Sequence, residues 1–404
     1  MWASRGRTLI LVENLSVPFD RRVWQEAQSL RDAGYGVTVV CPRGVNQDTD
    51  LRVQLDGIHI HRYPLRAATG GSADYAREYA SALARMAALV LRLDRRRRFD
   101  VVHACNPPDG LLVAALPLRR RDTAFIFDHH DLVPELFISR FGRRGALHRA
   151  TFLAERLAFR LADVVISTND SYRRIALERG KKRPEDVFVV RSAPRVDRFR
   201  PVAPDASLKR GKEHLLAYLG VMGPQDGVDH ALRALAHLAT YRSDWRAVFV
   251  GSGDVFAEMQ SLATELGLAG VVEFTGRIPD ADVIRILSSA DVCLSPDPKN
   301  PLNNLSTMNK VLEYMALGRP IVSYELVEAR VSAGEAAVYA VANDIEGFAR
   351  CISDLLDDPN RRRAMGEAGR RRVEQDLSWA RSETQLLAAY EHALALRRPH
   401  VPVR

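Results

Sequence analysis

Short unbroken apolar runs recur along the chain: residues 8–13 (TLILVE), 37–41 (VTVVC), 101–104 (VVHA), 124–128 (AFIFD) and 164–168 (VVIST). A second series follows at 215–219 (LLAYL), 247–250 (AVFV), 271–274 (VVEF), 292–295 (VCLS) and 321–324 (IVSY). Runs without polar alternation predict strands buried on both faces, which is the pattern of a parallel sheet covered by helices. The intervening segments change period. Residues 23–33 (VWQEAQSLRDA) place apolar side chains three and four apart and stop at Gly34, as a helix C-terminus does. Residues 229–238 and 255–266 read the same way. Between the two series, 189–212 (VVRSAPRVDRFRPVAPDASLKRGK) is rich in Pro and charge without a sustained period, and reads as a linker. The pattern therefore predicts an α/β chain of two doubly wound domains, 1–194 and 195–380. A last segment, 381–404, holds an amphipathic helix at 381–396 (RSETQLLAAYEHALAL), expected to pack across the domain junction.

Composition narrows the class. A length of 404 residues suits two cores. No apolar run approaches the ~20 residues that span a bilayer, and the N-terminal run is too short and strand-like for a signal peptide. The four cysteines, Cys41, Cys105, Cys293 and Cys351, are scattered and mostly lie in apolar strands, so they read as reduced core residues of a cytoplasmic protein. The net charge is +8, with arginine runs at 95–98, 119–121 and 361–363. Such a field favours anionic partners. No aromatic residues interleave with the runs, which argues against nucleic acid.

In doubly wound sheets ligands sit outside the carboxyl ends of the strands, here expected to face a cleft. The loops at those positions are 13–24 (ENLSVPFDRRVW), with Arg21 and Arg22 in the first turn of a helix, 103–110 (HACNPPDG) and 128–135 (DHHDLVPE). In the second series they are 220–227 (GVMGPQDG) with Gly223, 250–254 (VGSGD) with Gly251 and Gly253, and 274–280 (FTGRIPD). The fourth is 301–322 (PLNNLSTMNKVLEYMALGRPIV). A helix starting near Thr307 would point unpaired N–H groups at a phosphate. Lys310 in its first turn opposes the helix dipole unless an anion is near. Glu313 shares a helix face with Asn309 and Lys310 and can accept two hydrogen bonds from a vicinal diol such as ribose. The Asp-His-His-Asp of 128–131 has no third ligand cluster, so no metal is expected.

Taken together these segments resemble the retaining nucleotide-sugar glycosyltransferases of the family-4 group, with two Rossmann-like domains facing a central cleft (the GT-B fold). The resemblance is strongest over 248–322 and includes 32–42 (DAGYGVTVVCP) and 130–135 (HDLVPE). It implies that Glu313 is the second acid of the family's Glu-x7-Glu motif and holds the donor ribose. Gly276, Arg277 and Ile278 are similar to the loop that contacts the base, and His130 to the histidine lying against the donor sugar and phosphate. Asn303, Asn304, Ser306 and Thr307 take the place of the groups that hold the sugar and diphosphate. Three departures stand out. Leu305 replaces the first acid, Val221 and Asp226 occupy the places of an Arg and a Lys, and "SVPFDRR" replaces a Gly-Gly turn. The duty of neutralising the diphosphate is therefore expected of Arg21, Arg22 and Lys310. The style of "DRRVW", "NPPD" and "MGPQDG" is similar to a subgroup of bacterial surface-polysaccharide assembly.

The resemblance implies transfer of a hexose from a nucleotide-diphosphate donor, expected to be a UDP-sugar, without metal or cofactor. Polysaccharide or glycolipid assembly is the expected setting. The acceptor is a lipid-linked or small soluble molecule. Arg149, Arg156 and Arg160 form a basic stripe with Leu153 and Leu157 beside it, a pattern suited to an anionic membrane surface. A non-catalytic nucleotide-sugar-binding subunit and an epimerase on the same architecture are the rival readings.

Overall fold

The computed structural model describes residues 5–44, 47–65, 72–119, 122–142 and 144–397. Arg120 and Arg121 of the second arginine run, and residues 398–404 of the C-terminal segment, lie outside the described residues. The chain divides into two compact units, one of Met1–Ile138, Gly142–Arg191 and Ser382–Arg404, the other of Ser139–Phe141 and Ser192–Arg381.

Unit 1 is an eight-stranded sheet of β1 (Arg7–Val12), β2 (Gly36–Pro42), β3 (Arg52–Leu55), β4 (Ile58–Tyr63), β5 (Val101–Cys105), β6 (Ala124–His129), β7 (Val164–Ser167) and β8 (Val187–Val189). Their order is β3-β4-β2-β1-β5-β6-β7-β8. Every pairing is parallel except β3–β4, an antiparallel edge that the apolar pattern did not predict. Those two strands carry several exposed polar side chains, so they lack the unbroken apolar signature of their neighbours. The inner strands β5, β6 and β7 are buried throughout, which is why their runs do not alternate.

Unit 2 has six parallel strands, β9 (His214–Leu219), β10 (Trp245–Val250), β11 (Val272–Gly276), β12 (Val292–Ser295), β13 (Ile321–Tyr324) and β14 (Ala337–Ala340), in the order β11-β10-β9-β12-β13-β14. On one face Trp245, Phe249, Leu232 and Leu235 pack together, and on the other Val250, Leu287, Leu312 and Met315. Burying each such side chain contributes about 1.5–3 kcal/mol.

The strand orders set the ligand positions. They reverse direction between β1 and β5 in unit 1, and between β9 and β12 in unit 2, and crevices open at such switch points. The final helix, Trp379–Arg397, belongs to unit 1 from Ser382 onward. It buries Leu386, Ala389, Tyr390 and Ala393, a helical stripe, and His392 Nε2 lies 2.9 Å from Asp186.

Candidate functional site

In unit 2 the three glycine-bearing loops meet backbone to backbone. Gly220 N donates to Val250 O, Met222 N to Ser252 O, and Gly251 N to Gly276 O at 3.0 Å. Gly251 has φ 127°, and a Cβ there would lie 1.9 Å from the Gly220 carbonyl oxygen. Only glycine fits, which explains the spacing of the motif. A Cβ on Gly253 would lie 2.6 Å from the Met222 carbonyl oxygen, and the Gly223 N–H donates to Asp226 Oδ2 at 2.8 Å. Arg277 is exposed, while Ile278 packs into the unit 2 core.

The helix carrying Lys310 and Glu313 spans Asn309–Ala316, two residues later than the sequence suggests, with Met308 as its extended N-cap. Tyr314 seats it at the switch point. Its hydroxyl donates to Leu294 O on β12 and accepts from Leu219 N on β9. Asn309 is exposed, and Glu313 is half-buried on the same helix.

Lys310 is not an open cation. Its Nζ lies 2.6 Å from Asp297 Oδ1 and 5.0 Å from the centre of the Tyr218 ring, with only 7 % of its side chain exposed. Ser295 Oγ donates to the other carboxylate oxygen of Asp297. Nearby Asp226, which stands where the family resemblance leads one to expect a lysine, is pushed up to about 6 by burial and by Asp297, against the pull of Lys310. The local misfit of a first-turn lysine is thus answered within the chain by Asp297, a partner that pattern reasoning missed.

Asn303 also departs from its expected role. It is buried, and its amide donates to Gln225 O at 2.8 Å and Pro298 O at 2.9 Å, so both donors clamp two loops together rather than point at sugar hydroxyls. Asn304 Oδ1 accepts from Val327 N, and Ser306 Oγ donates to Leu302 O. Thr307 is half-buried in the same loop.

In unit 1 the strand ends gather charge. Arg22 lies in the first turn of the helix Arg21–Asp32, which Asp20 caps through Val23 N. Arg21 is exposed. The guanidinium of Arg22 turns inward, with only 8 % of its side chain exposed. Nε and Nη2 grip Asp128 at 3.1 and 2.8 Å, Nη1 donates to Val190 O, and Glu26 Oε1 is 3.1 Å away. The expectation that Arg22 is free to neutralise a diphosphate is corrected: its charge is matched by two buried carboxylates. Burial disfavours the ionised form of Asp128, but Arg22 and His130 outweigh it and hold the carboxylate well below its usual range. Burial also opposes the charge on His130, yet Asp128, 3.3 Å from Nδ1, and Asp131 keep it raised above the ordinary imidazole value.

The backbone of His130 is pinned as well. Asn106 Oδ1 accepts from His130 N and Asp131 N, and its amide donates to Asp109 and Asp131 O. Glu26, His103, Cys105 and Asp128 bring four donor atoms within 4.8 Å of one another. Arg22 already supplies the cation there, so this is a paired charge cluster. Glu13, buried at the end of β1 with one carboxyl oxygen unpartnered among the described residues, is pushed up to about 8 by burial and by Glu78.

The basic stripe lies on the helix Ala146–Leu161. Arg149, Arg156 and Arg160 are exposed and make no side-chain ion pair among the described residues, and Leu147, Leu153 and Leu157 are exposed beside them. Glu155 turns inward to Arg179. No described helix is long and apolar enough to cross a membrane. A cavity of about 620 Å³ lined by Arg319, Arg362 and Arg370 opens beside Ala290, Asp291 and Pro320, which precede β12 and β13; that is the opposite end of the unit 2 sheet from these loops.

Comparison with known proteins places both units. The family described as "Glycosyl transferases group 1" matches residues 199–372, and "Glycosyl transferase 4-like domain" matches 20–193. An MMP alpha-(1->4)-mannosyltransferase of Mycolicibacterium hassiacum is 26% identical over 309 residues, covering 74% of this chain and 72% of that protein. A GDP-mannose-dependent phosphatidylinositol monomannoside mannosyltransferase of Corynebacterium glutamicum is 31% identical over 196 residues, 46% of this chain and 50% of that protein. Among solved structures, sucrose-phosphate synthase from Thermosynechococcus elongatus superposes with a TM-score of 0.81 at 19% identity, covering 97% of this chain and all of that one. Anabaena HepE in complex with UDP gives 0.70 at 16% identity, covering 95% and 99%.

Proposed function

We propose, on the premise that this chain belongs to the group 1, family-4-type glycosyltransferases and is a nucleotide-sugar-dependent enzyme of the GT-B fold, that it moves a hexose from a nucleotide-diphosphate donor held by unit 2. One observation carries the reading. The loops after β9, β10 and β11 meet backbone to backbone, and Tyr314 ties the helix bearing Glu313 to the ends of β9 and β12. In this reading the carboxylate of Glu313 accepts the ribose hydroxyls, and the turn at Gly276–Ile278 lies along the base. Gly223, Gly251, Gly253, Asn304, Ser306, Thr307 and Asn309 surround the diphosphate and sugar, and Asn303 shapes that loop rather than binding.

The reaction breaks the bond between the anomeric carbon and the diphosphate oxygen and forms one to an acceptor hydroxyl, which loses its proton. A cationic His130, held by Asp128 and Asn106, stabilises negative charge developing in that exchange. Lys310 contributes charge to the diphosphate by sharing itself with Asp297, and Arg21 lies at the start of its helix for the same purpose. Arg22 is assigned the support of Asp128. Retention of configuration follows the family resemblance.

A UDP-sugar is the expected donor, and the GDP-mannose dependence in a relative's name makes GDP-mannose the competing one. The acceptor is read as lipid-linked, in glycolipid or polysaccharide assembly. The helix Ala146–Leu161 supports this, because exposed arginines without an ion pair among the described residues, beside exposed leucines, suit an anionic bilayer surface. The deciding experiment is calorimetric titration of the full chain with UDP-, GDP- and dTDP-hexoses, followed by transfer assays with the donor that binds. Binding to none of them removes the reading.

A further inference from the structure

We propose that Tyr390, on the C-terminal helix, is a positioning residue for His130, acting through His103 and Asp128. The Tyr390 hydroxyl lies 2.9 Å from His103 Nδ1 and 3.1 Å from Thr8 Oγ1. Tyr390, His103 and Thr8 are fully buried, on residues far apart in sequence. The other nitrogen, His103 Nε2, has no hydrogen-bond partner among the described residues and faces Asp128 Oδ2 at 3.7 Å and Glu26 Oε2 at 3.8 Å.

These distances select a tautomer. If Tyr390 donates to Nδ1, the imidazole proton sits on Nε2 and points at two carboxylates. The opposite tautomer would aim a lone pair at them in a site without water-like screening. The tyrosine hydroxyl therefore holds positive ring-edge charge against Asp128, and Asp128 is the carboxylate 3.3 Å from His130 Nδ1. The other charged groups around this line are Arg22 and Glu26 on the helix Arg21–Asp32, Asp20 at its cap, and Asp131 beside His130. Thr8 keeps the hydroxyl from turning away. The residue sits on a helix that follows unit 2 in the chain but belongs to unit 1.

The catalytic meaning of His130 rests on the function proposed above, but the test does not depend on it. The full chain is labelled in its histidine rings and titrated by NMR, with His130 assigned by His130→Asn, for wild type, Tyr390→Phe and Thr8→Val. Without that positive edge Asp128 is less neutralised and holds the imidazolium more tightly, so the His130 midpoint is expected to move to higher pH in Tyr390→Phe and to move less, in the same direction, in Thr8→Val. In a transfer assay kcat falls about fivefold for Tyr390→Phe, the size of one lost buried hydrogen bond, with donor KM unchanged. Superimposable His130 titrations in the folded variants overturn the proposal, and so does a kcat loss with an unmoved midpoint, which structural damage alone explains. A moved midpoint in a protein that transfers no sugar supports the positioning chain and sinks the functional reading instead. If Tyr390→Phe does not fold, Thr8→Val decides by the same criterion.

Discussion

Replacing Asp226 by Asn tests the charge balance of the unit 2 site. The Asp226 carboxyl is displaced from an ordinary 3.8 to about 6, mainly by burial and by Asp297. A folded-state value above the unfolded one means that the native protein holds this proton more tightly than the unfolded chain. Stability from this group is therefore complete below about pH 4, falls as pH rises toward 6, and is gone above it. The displacement corresponds to a ceiling of ~3 kcal/mol, and partial exposure brings the expected penalty at pH 7.5 nearer ~1–2 kcal/mol. Asparagine keeps the shape and the bond from Gly223 N, because its carbonyl oxygen can accept where Oδ2 does. Asp226→Asn should therefore gain ~1–2 kcal/mol at pH 7.5 and nothing at pH 4. Hydrogen exchange of the β9 and β12 amides reads unit 2 alone. Equal protection of variant and wild type at pH 7.5, or a difference that does not vary with pH, would refute the reasoning. Removing the charge should also tighten binding of the diphosphate donor at pH 7.5.

Glu313→Gln should weaken a nucleotide donor by about tenfold or more in calorimetric titration, and have a smaller effect on the 2′,3′-dideoxyribose analogue, which lacks the diol. Asn303→Ala should lower unit 2 stability by about 2 kcal/mol, because Gln225 O and Pro298 O each lose a donor; an effect on donor affinity alone would restore its expected sugar-binding role. Asp297→Asn should destabilise the apo protein by about 3 kcal/mol or more, since Lys310 would be left buried without its carboxylate. The donor-induced rise in Tm should then be larger than in wild type, and an unchanged rise counts against Lys310 sharing its charge with the diphosphate. Leu153→Glu together with Arg156→Glu should abolish flotation with anionic vesicles at low salt; equal flotation of variant and wild type would show that this helix face does not meet the bilayer.

The unbroken apolar runs made ten of the strands legible, because residues in fully covered parallel strands have no reason to be polar. The edge pair β3–β4 escaped for the converse reason, β8 has only three residues, and the edge strand β14 is only half-buried at Val338 and Tyr339. The glycine loops were legible because their spacing reflects a steric requirement, seen at Gly251. The Lys310–Asp297 pair was not. Asp297 is thirteen residues earlier in a loop without period, and only the fold brings it to the helix. The inward turn of Arg22 did have a signal. Val23, Glu26, Ala27 and Leu30 form the buried stripe of that helix, and Arg22 precedes Glu26 by one turn. A glutamate on a buried stripe needs a cation, and Arg22 was the one within reach. The contact of Tyr390 with His103, separated by 287 residues, leaves no local trace in sequence.

The same solution recurs at both switch points. In unit 1 one arginine serves Asp128 and Glu26; in unit 2 one lysine serves Asp297 and faces Asp226. Each cation is thus outnumbered by carboxylates, the reverse of what a site for a diphosphate needs at rest. The excess is carried as protons: Glu26 is pushed up to about 7 by burial, and Asp226 to about 6. On the proposed function, a diphosphate arriving at unit 2 would add negative charge beside Asp226, already poised to hold a proton, and would raise its hold further. Donor binding is then expected to take up a proton, and calorimetric titrations should show affinity declining as pH climbs past the range where Asp226 titrates. Of the departures from the family pattern, Asp226 therefore exchanges a fixed cation for a neutralisable acid, whereas Val221 and Leu305 put apolar side chains in the places of a cation and an acid, so the empty site carries no surplus of buried positive charge.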